Sequence, residues 1–126
     1  MPIPNQMYID GQWLNASDGG TIEVVNPATE EVVDAVPKAT AEDLDRALDA
    51  ADRAWKSWRE VDAWTRSAAV RRVAEWIRDH VDAMADVLTE EQGKTLGESA
   101  GEIRAGADQF DWYADEARRL YGRVID

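Results

Sequence analysis

The chain has 126 residues, 26 of them acidic and 14 basic, for a net charge of -12, with no cysteine and a single histidine. That length is one folding unit at the usual roughly 100 to 200 residues per domain, too short for a dinucleotide domain together with a substrate domain. Zero cysteine excludes disulfides, thiolate nucleophiles and Cys-type zinc centres, one histidine all but excludes a Ser–His catalytic pair, and so acidic a surface would repel nucleic-acid phosphates.

In chain order, residues 7 to 14 open an extended segment. Asn15, Ser17, Asp18, Gly19 and Gly20 then supply turn chemistry, and branched, alternating residues return at Thr21–Val25, so the pattern predicts a hairpin across that turn. Asn26-Pro27-Ala28-Thr29 breaks the strand, because proline has no ladder donor. Glu31–Val36 reads as a third short strand ended by Pro37. Three strands are therefore expected over residues 1–38.

From residue 40 the period changes from two to about 3.6. Thr40 is a good N-cap and Asp43 can return the bond as in a capping box. Leu44, Ala47, Leu48, Ala51, Trp55 and Trp58 share one face, which predicts an amphipathic helix over 40–59. A second helix is expected over 63–89, with the stripe Val70, Val73, Ile77, Val81, Met84 and Leu88, Trp76 beside it, and Gly93 placed to end it or begin the connection. A third, over 95–121, carries Leu96, Ala100, Ile103, Ala107, Phe110, Ala114, Ala117 and Tyr121 at alternate spacings of four and three, the pattern of a buried seam. Gly122 supplies its stop. Gly97, Gly101 and Gly106 each cost up to ~1 kcal/mol relative to alanine in a helix interior, so its front could begin as a loop. The expected architecture is α+β: a single partial domain over 1–126 with an N-terminal hairpin, a third strand and three amphipathic helices. The end, Arg123-Val124-Ile125-Asp126, is β-prone with nothing to pair against and reads as sequence cut short.

No apolar run approaches the ~20 residues that span a bilayer. Met1-Pro2-Ile3-Pro4-Asn5 lacks both the basic start and the apolar stretch of a targeting signal, so the chain reads as soluble and cytoplasmic. Its only lysines are Lys38, Lys56 and Lys94. Excess aspartate with scarce lysine fits a protein adapted to high salt, and a GC-rich genome gives the same bias.

Few residues suggest chemistry of their own. His80 lies within the second expected helix without partners and reads as a solvated surface residue. Glu90 and Glu91 are adjacent, and on a helix they point about 100° apart, so they do not form an acid–base pair. Gly93-Lys94-Thr95 echoes the end of a phosphate loop, but Leu88 stands where that motif needs glycine and a helix precedes it. No G-x-G-x-x-G stretch offers a dinucleotide cradle.

Taken together, Tyr8-Ile9-Asp10-Gly11-Gln12-Trp13, Val25-Asn26-Pro27-Ala28-Thr29-Glu30, Ala50-Ala51 through Trp58, Arg66 to Ile77, Glu91-Gln92-Gly93-Lys94 and Trp112-Tyr113-Ala114 to Gly122 resemble, in order and spacing, the opening quarter of an aldehyde dehydrogenase. Each motif alone is weak; their succession is specific. Tyr113-Ala114-Asp115-Glu116-Ala117-Arg118-Arg119 looks most like the succinate-semialdehyde, lactaldehyde and glycolaldehyde subgroups.

The resemblance implies an N-terminal fragment, the outer part of an α/β cofactor domain. The family oxidises aldehydes to acids with NAD or NADP through a cysteine thiolate and a glutamate-activated water. This chain has neither that cysteine nor the nucleotide turn, so no catalytic or cofactor-binding residue and no bound cofactor are expected in it alone. Its implied partner is the remainder of the enzyme or another subunit. The resemblance also implies a monovalent-cation site using a backbone carbonyl at Val24 or Val25 and the Glu91 carboxylate, incomplete because a third ligand would lie beyond Asp126; otherwise Glu91 is a solvated helix end. It further implies that Ala105, Gln109 and Trp112, spaced i, i+4, i+7, wall the aldehyde tunnel, the bland alternative being that Trp112 packs on a missing domain. A rival from another class is a freestanding helical interaction module derived from the family.

Overall fold

The computed structural model describes residues 4–122, so the β-prone end at 123–126 lies outside the described residues. The chain divides into two compact units, Met1–Glu60 with Val87–Lys94, and Val61–Asp86 with Thr95–Asp126.

In the first unit, β1 (Met7–Ile9) and β2 (Gln12–Leu14) form an antiparallel hairpin that pairs Tyr8 with Trp13. Asp10 (φ 52°) and Gly11 (φ 79°) make the turn, both left-handed as a two-residue hairpin of matching twist requires. An N-terminal hairpin is thus present, but it lies wholly within residues 7–14, which were expected to form a single extended segment. The Asp-Gly dipeptide, a strong hairpin signal, outweighs the apparent continuity of the strand. β3 (Thr21–Val25) pairs instead with β4 (Val32–Pro37), with a bulge between Val24 and Val25. Against the expected three strands, the described residues form four, in two separate two-stranded sheets. The Asn15–Gly20 segment connects the hairpins: Gly19 N–H donates to Ala16 O at 2.9 Å and Gly20 N–H to Asp18 Oδ1 at 2.7 Å.

α1 (Ala41–Trp58) starts at the expected capping box. The Asp43 side chain has no exposed surface. Its Oδ2 accepts from Thr40 N–H at 3.0 Å and Ser17 N–H at 3.1 Å, so one carboxylate caps the helix and ties down the preceding connection. Arg53 Nη2 reaches Asp10 Oδ2 at 2.9 Å, linking α1 to the first hairpin's turn.

In the second unit, α2 (Ala63–Asp79) is capped by Asp62, whose Oδ1 accepts from Trp64 N–H and Thr65 N–H, both at 3.0 Å. The single helix expected over 63–89 is two. α2 stops at His80 (φ -120°, ψ 17°), and α3 (Val81–Gln92) begins at once, its residues from Val87 onward belonging to the first unit. His80 makes the break tolerable by satisfying α2 carbonyls: its N–H donates to Ile77 O at 3.1 Å, its Nδ1 to Trp76 O at 2.7 Å, and its ring stacks on Trp76 at 4.1 Å. The apolar period runs through the break unaltered, which is why spacing alone does not reveal it.

α4 (Leu96–Glu116) opens with a second capping box, Thr95 with Glu98, and is helical from its glycine-bearing front. It ends five residues before the expected 121, with Ala117 as C-cap. The seam is also narrower than expected. Ser99, Ala107 and Ala114 are buried, whereas Leu96, Phe110 and Tyr121 are exposed. Ala74, Ile77 and Ala107 form the core between α2 and α4, with Met84 and Ile103 packed against them. Small side chains let the two backbones close up, leaving the larger ones at the seam's margin.

Candidate functional site

The residues singled out in the sequence fall in two places, one in each unit. In the first, the loop between β3 and β4 is shaped locally. Asn26 Oδ1 accepts from Ala28 N–H at 2.9 Å, Glu30 N–H donates to Asn26 O at 2.8 Å, and Asn26 N–H to Glu31 O at 2.9 Å. Glu30 closes the loop with φ 62°, a left-handed conformation. Pro27 projects from this loop against Gly93. A Cβ on Gly93 would sit 2.9 Å from Pro27 Cγ, and Gly93 has φ 70°, so only glycine meets both demands. Its N–H donates to Thr89 O at 2.9 Å and ends α3.

The expected cation ligands flank this contact. Val25 is the last residue of β3 and Glu91 lies in the last turn of α3, each two positions from the touching pair Pro27 and Gly93. Val24 is half-buried, and Val25 and Glu91 are exposed. The contact therefore brings these two chain segments together and supplies two candidate oxygens, a backbone carbonyl and a carboxylate, of the hard type that suits a monovalent cation. Among the described residues no group of three or more His, Cys, Asp or Glu could hold a metal ion.

In the second unit, Ala105, Gln109 and Trp112 are all exposed on α4, opposite the face carrying Ile103, Ala107 and Ala114. They form one strip along the helix, as their spacing predicts. The buried side is bracketed by charge. Arg71 Nη1 meets Asp111 at 3.1 Å and its Nη2 meets Asp115 at 2.8 Å, while Arg78 meets Asp108 and Asp111 at 2.7 Å each. The two carboxylates raise the pKa of Arg78 above its ordinary value, Asp108 contributing most. Arg118 pairs with Asp115 and lies 4.8 Å over the Trp64 ring. These pairs were not anticipated, yet the signal is in the sequence: arginines seven apart on one helix, and aspartates three and four apart on its neighbour. They hold α2 to α4 and leave the exposed strip untouched.

His80 is turned to the backbone and the Trp76 ring, and Glu90 and Glu91 are both solvated, so neither makes an acid–base pair. Both described sheets are antiparallel and two-stranded. With no glycine-rich turn leading from a strand into a helix, the residues present do not fit a dinucleotide.

Comparison with known proteins agrees with this geometry. The aldehyde dehydrogenase family model matches residues 13–126. The chain is 47% identical over 120 residues to the glutarate-semialdehyde dehydrogenase of Pseudomonas putida, covering 95% of this chain and 25% of that protein. It is 40% identical over 120 residues to the NADP+-dependent succinate-semialdehyde dehydrogenase of Escherichia coli, with the same two coverages. Its fold matches the crystal structure of a betaine aldehyde dehydrogenase point mutant from Staphylococcus aureus in complex with NAD+, at a TM-score of 0.90 and 36% identity, over 97% of this chain and 25% of that one. The chain spans about a quarter of the length of the relatives it matches. With its α+β architecture and its motifs in their order, it belongs to the aldehyde dehydrogenase family, whose N-terminal part it represents.

Proposed function

We propose that this chain is the N-terminal portion of a cytoplasmic NAD(P)-dependent dehydrogenase that oxidises an aldehyde to a carboxylic acid, and that it is inactive alone. Its substrate class is the semialdehyde of a short dicarboxylic acid. The observation that carries this reading is the 47% identity to a glutarate-semialdehyde dehydrogenase, sustained over 95% of the chain.

In this reading the chain shapes and supports a site whose reacting groups lie elsewhere. The carbonyl of Val24 or Val25 and the Glu91 carboxylate would supply two ligands of a monovalent-cation site that is completed from outside this chain, with the Pro27–Gly93 contact keeping the two segments together. A cation held there would offset the negative charge of the Glu91 carboxylate. On α4, Trp112 and Ala105 give the passage for the aldehyde a largely apolar wall that excludes water, and Gln109 is the member of the strip able both to donate a hydrogen bond to a polar substrate group and to accept one from it. The thiolate nucleophile must come from outside this chain, which has no cysteine.

The test is spectrophotometric. The purified chain, given succinate semialdehyde with NAD or NADP, produces no reduced cofactor. A chimera in which it replaces the N-terminal quarter of the Pseudomonas putida enzyme does. Steady turnover by the chain alone, or an inactive chimera that is correctly folded, sinks the proposal. A chain that melts cooperatively as a monomer and ignores the complementary polypeptide points instead to the freestanding module.

A further inference from the structure

α1 (Ala41–Trp58) carries the largest contradiction between pattern and environment. Leu44, Leu48, Ala51, Trp55 and Trp58 follow one another at alternate steps of four and three and fall within about 80° of arc, the geometry of a buried seam. Yet Leu44 is 57%, Leu48 58% and Trp55 57% exposed. Large apolar side chains arranged in one stripe and left wet mark a surface made for a partner.

The two edges of the stripe differ, and this selects the partner. Along one edge Ala47, Ala50 and Ala54 line an open groove with Tyr8, Ile9 and Gly11 of the first hairpin. Along the other run Asp45, Asp49 and Asp52, with Asp49 also lining a pocket beside Asp10 and Gln12 of the hairpin and Arg46 and Arg53 of its own helix. Asp52 pairs with Lys56 at 2.9 Å, while Asp45 and Asp49 make no ion pair among the described residues. A second copy fits badly: antiparallel helices would bring the acidic edges together, and in either orientation two chains each carrying a net charge of -12 repel one another.

We propose that the α1 stripe is the docking surface for the polypeptide that completes the enzyme, the three quarters of the relatives' length that this chain does not span. The inference rests on the function proposed above. The partner presents an apolar surface to Leu44, Leu48, Trp55 and Trp58, with a cationic group beside Asp45.

Hydroxyl-radical footprinting of the free chain and of the chimera with the Pseudomonas putida enzyme reads this surface directly. Leu44, Leu48 and Trp55 react readily in the free chain, and in the chimera they fall to the low reactivity of the buried Ile77. In parallel, the free chain is titrated with the complementary fragment of that enzyme. Leu48→Asp weakens binding by about tenfold or more, the effect expected for losing a leucine buried at an interface. Leu48→Met restores it, and the circular dichroism of the free variants is unchanged. A stripe as reactive in the chimera as in the free chain, or Leu48→Asp binding as wild type, overturns the docking surface, whereas a wild-type chain that does not bind the fragment overturns the function on which it rests. The proposed function fails separately, if a chimera with a protected stripe oxidises no aldehyde.

Discussion

The face of α1 and the seam between α2 and α4 share one spacing and meet opposite fates. Along α1, Leu44, Leu48 and Trp55 stand more than half exposed; along α4, Ser99, Ala107 and Ala114 are buried. The difference is one of size and of charge placement. Small residues let the α2 and α4 backbones approach, and the Arg71 and Arg78 pairs with Asp108, Asp111 and Asp115 bracket the contact. The α1 stripe consists of large side chains that no element of its own unit is positioned to cover. A heptad-like pattern therefore specifies which face is apolar, while residue volume and flanking charges decide whether that face closes within the chain.

The sharpest way to break this comparison is to enlarge the closed seam. Ala107 is completely buried, so Ala107→Leu should destabilise the chain by about 1 to 3 kcal/mol through overpacking. Leu48→Ser on the open face should stay within about 0.5 kcal/mol of wild type. Urea titrations of both variants check the contrast; equal effects would mean that the two faces do not differ as described.

A smaller effect is expected at the bracket. Arg78→Met should lower the urea midpoint by less than Ala107→Leu does, because it leaves Asp108 without its guanidinium and Asp111 with Arg71 alone. The loss should shrink in molar salt as screening weakens the pairs in wild type too. A double-mutant cycle with Asp111→Asn measures the coupling, and a value near zero would remove the bracket from the argument.

The smallest effect concerns the connection into α1 and appears only in acid. The Thr40 and Ser17 N–H groups, Thr40 first, hold the Asp43 carboxyl down at about 2, against about 3.9 in an unfolded chain. A native value below the unfolded one contributes stability that is fully present above about pH 4 and is lost as pH falls towards 2. Unfolding midpoints followed from pH 5 to 2 should therefore decline, and Asp43→Asn should flatten that part of the curve. An unchanged slope would mean that Asp43 does not act as the latch.

Much of this was legible in the residues. The capping box at Thr40 and Asp43 placed the start of α1 because capping is local chemistry. The signal at Thr95 and Glu98 is of the same kind and lay unused. The strip Ala105, Gln109 and Trp112 could be assigned to one exposed side because a helix fixes angular positions from spacing alone. The Pro27–Gly93 contact could not be read, since it joins a loop and a helix end 66 positions apart and depends on the absence of a Cβ.

What the sequence by itself determined is therefore what nearest neighbours decide: helix starts, apolar faces, the strand-breaking Asn26-Pro27, and the family to which the ordered motifs belong. The tertiary structure alone decided which strand pairs with which, where α2 gives way to α3, and which apolar face is covered. The physical reason is the same in each case. Local capping and periodicity involve residues a few positions apart, whereas strand pairing depends on competing turns, the break at His80 leaves the apolar period intact, and closure of a face depends on the volumes and charges of a surface that is distant in the chain.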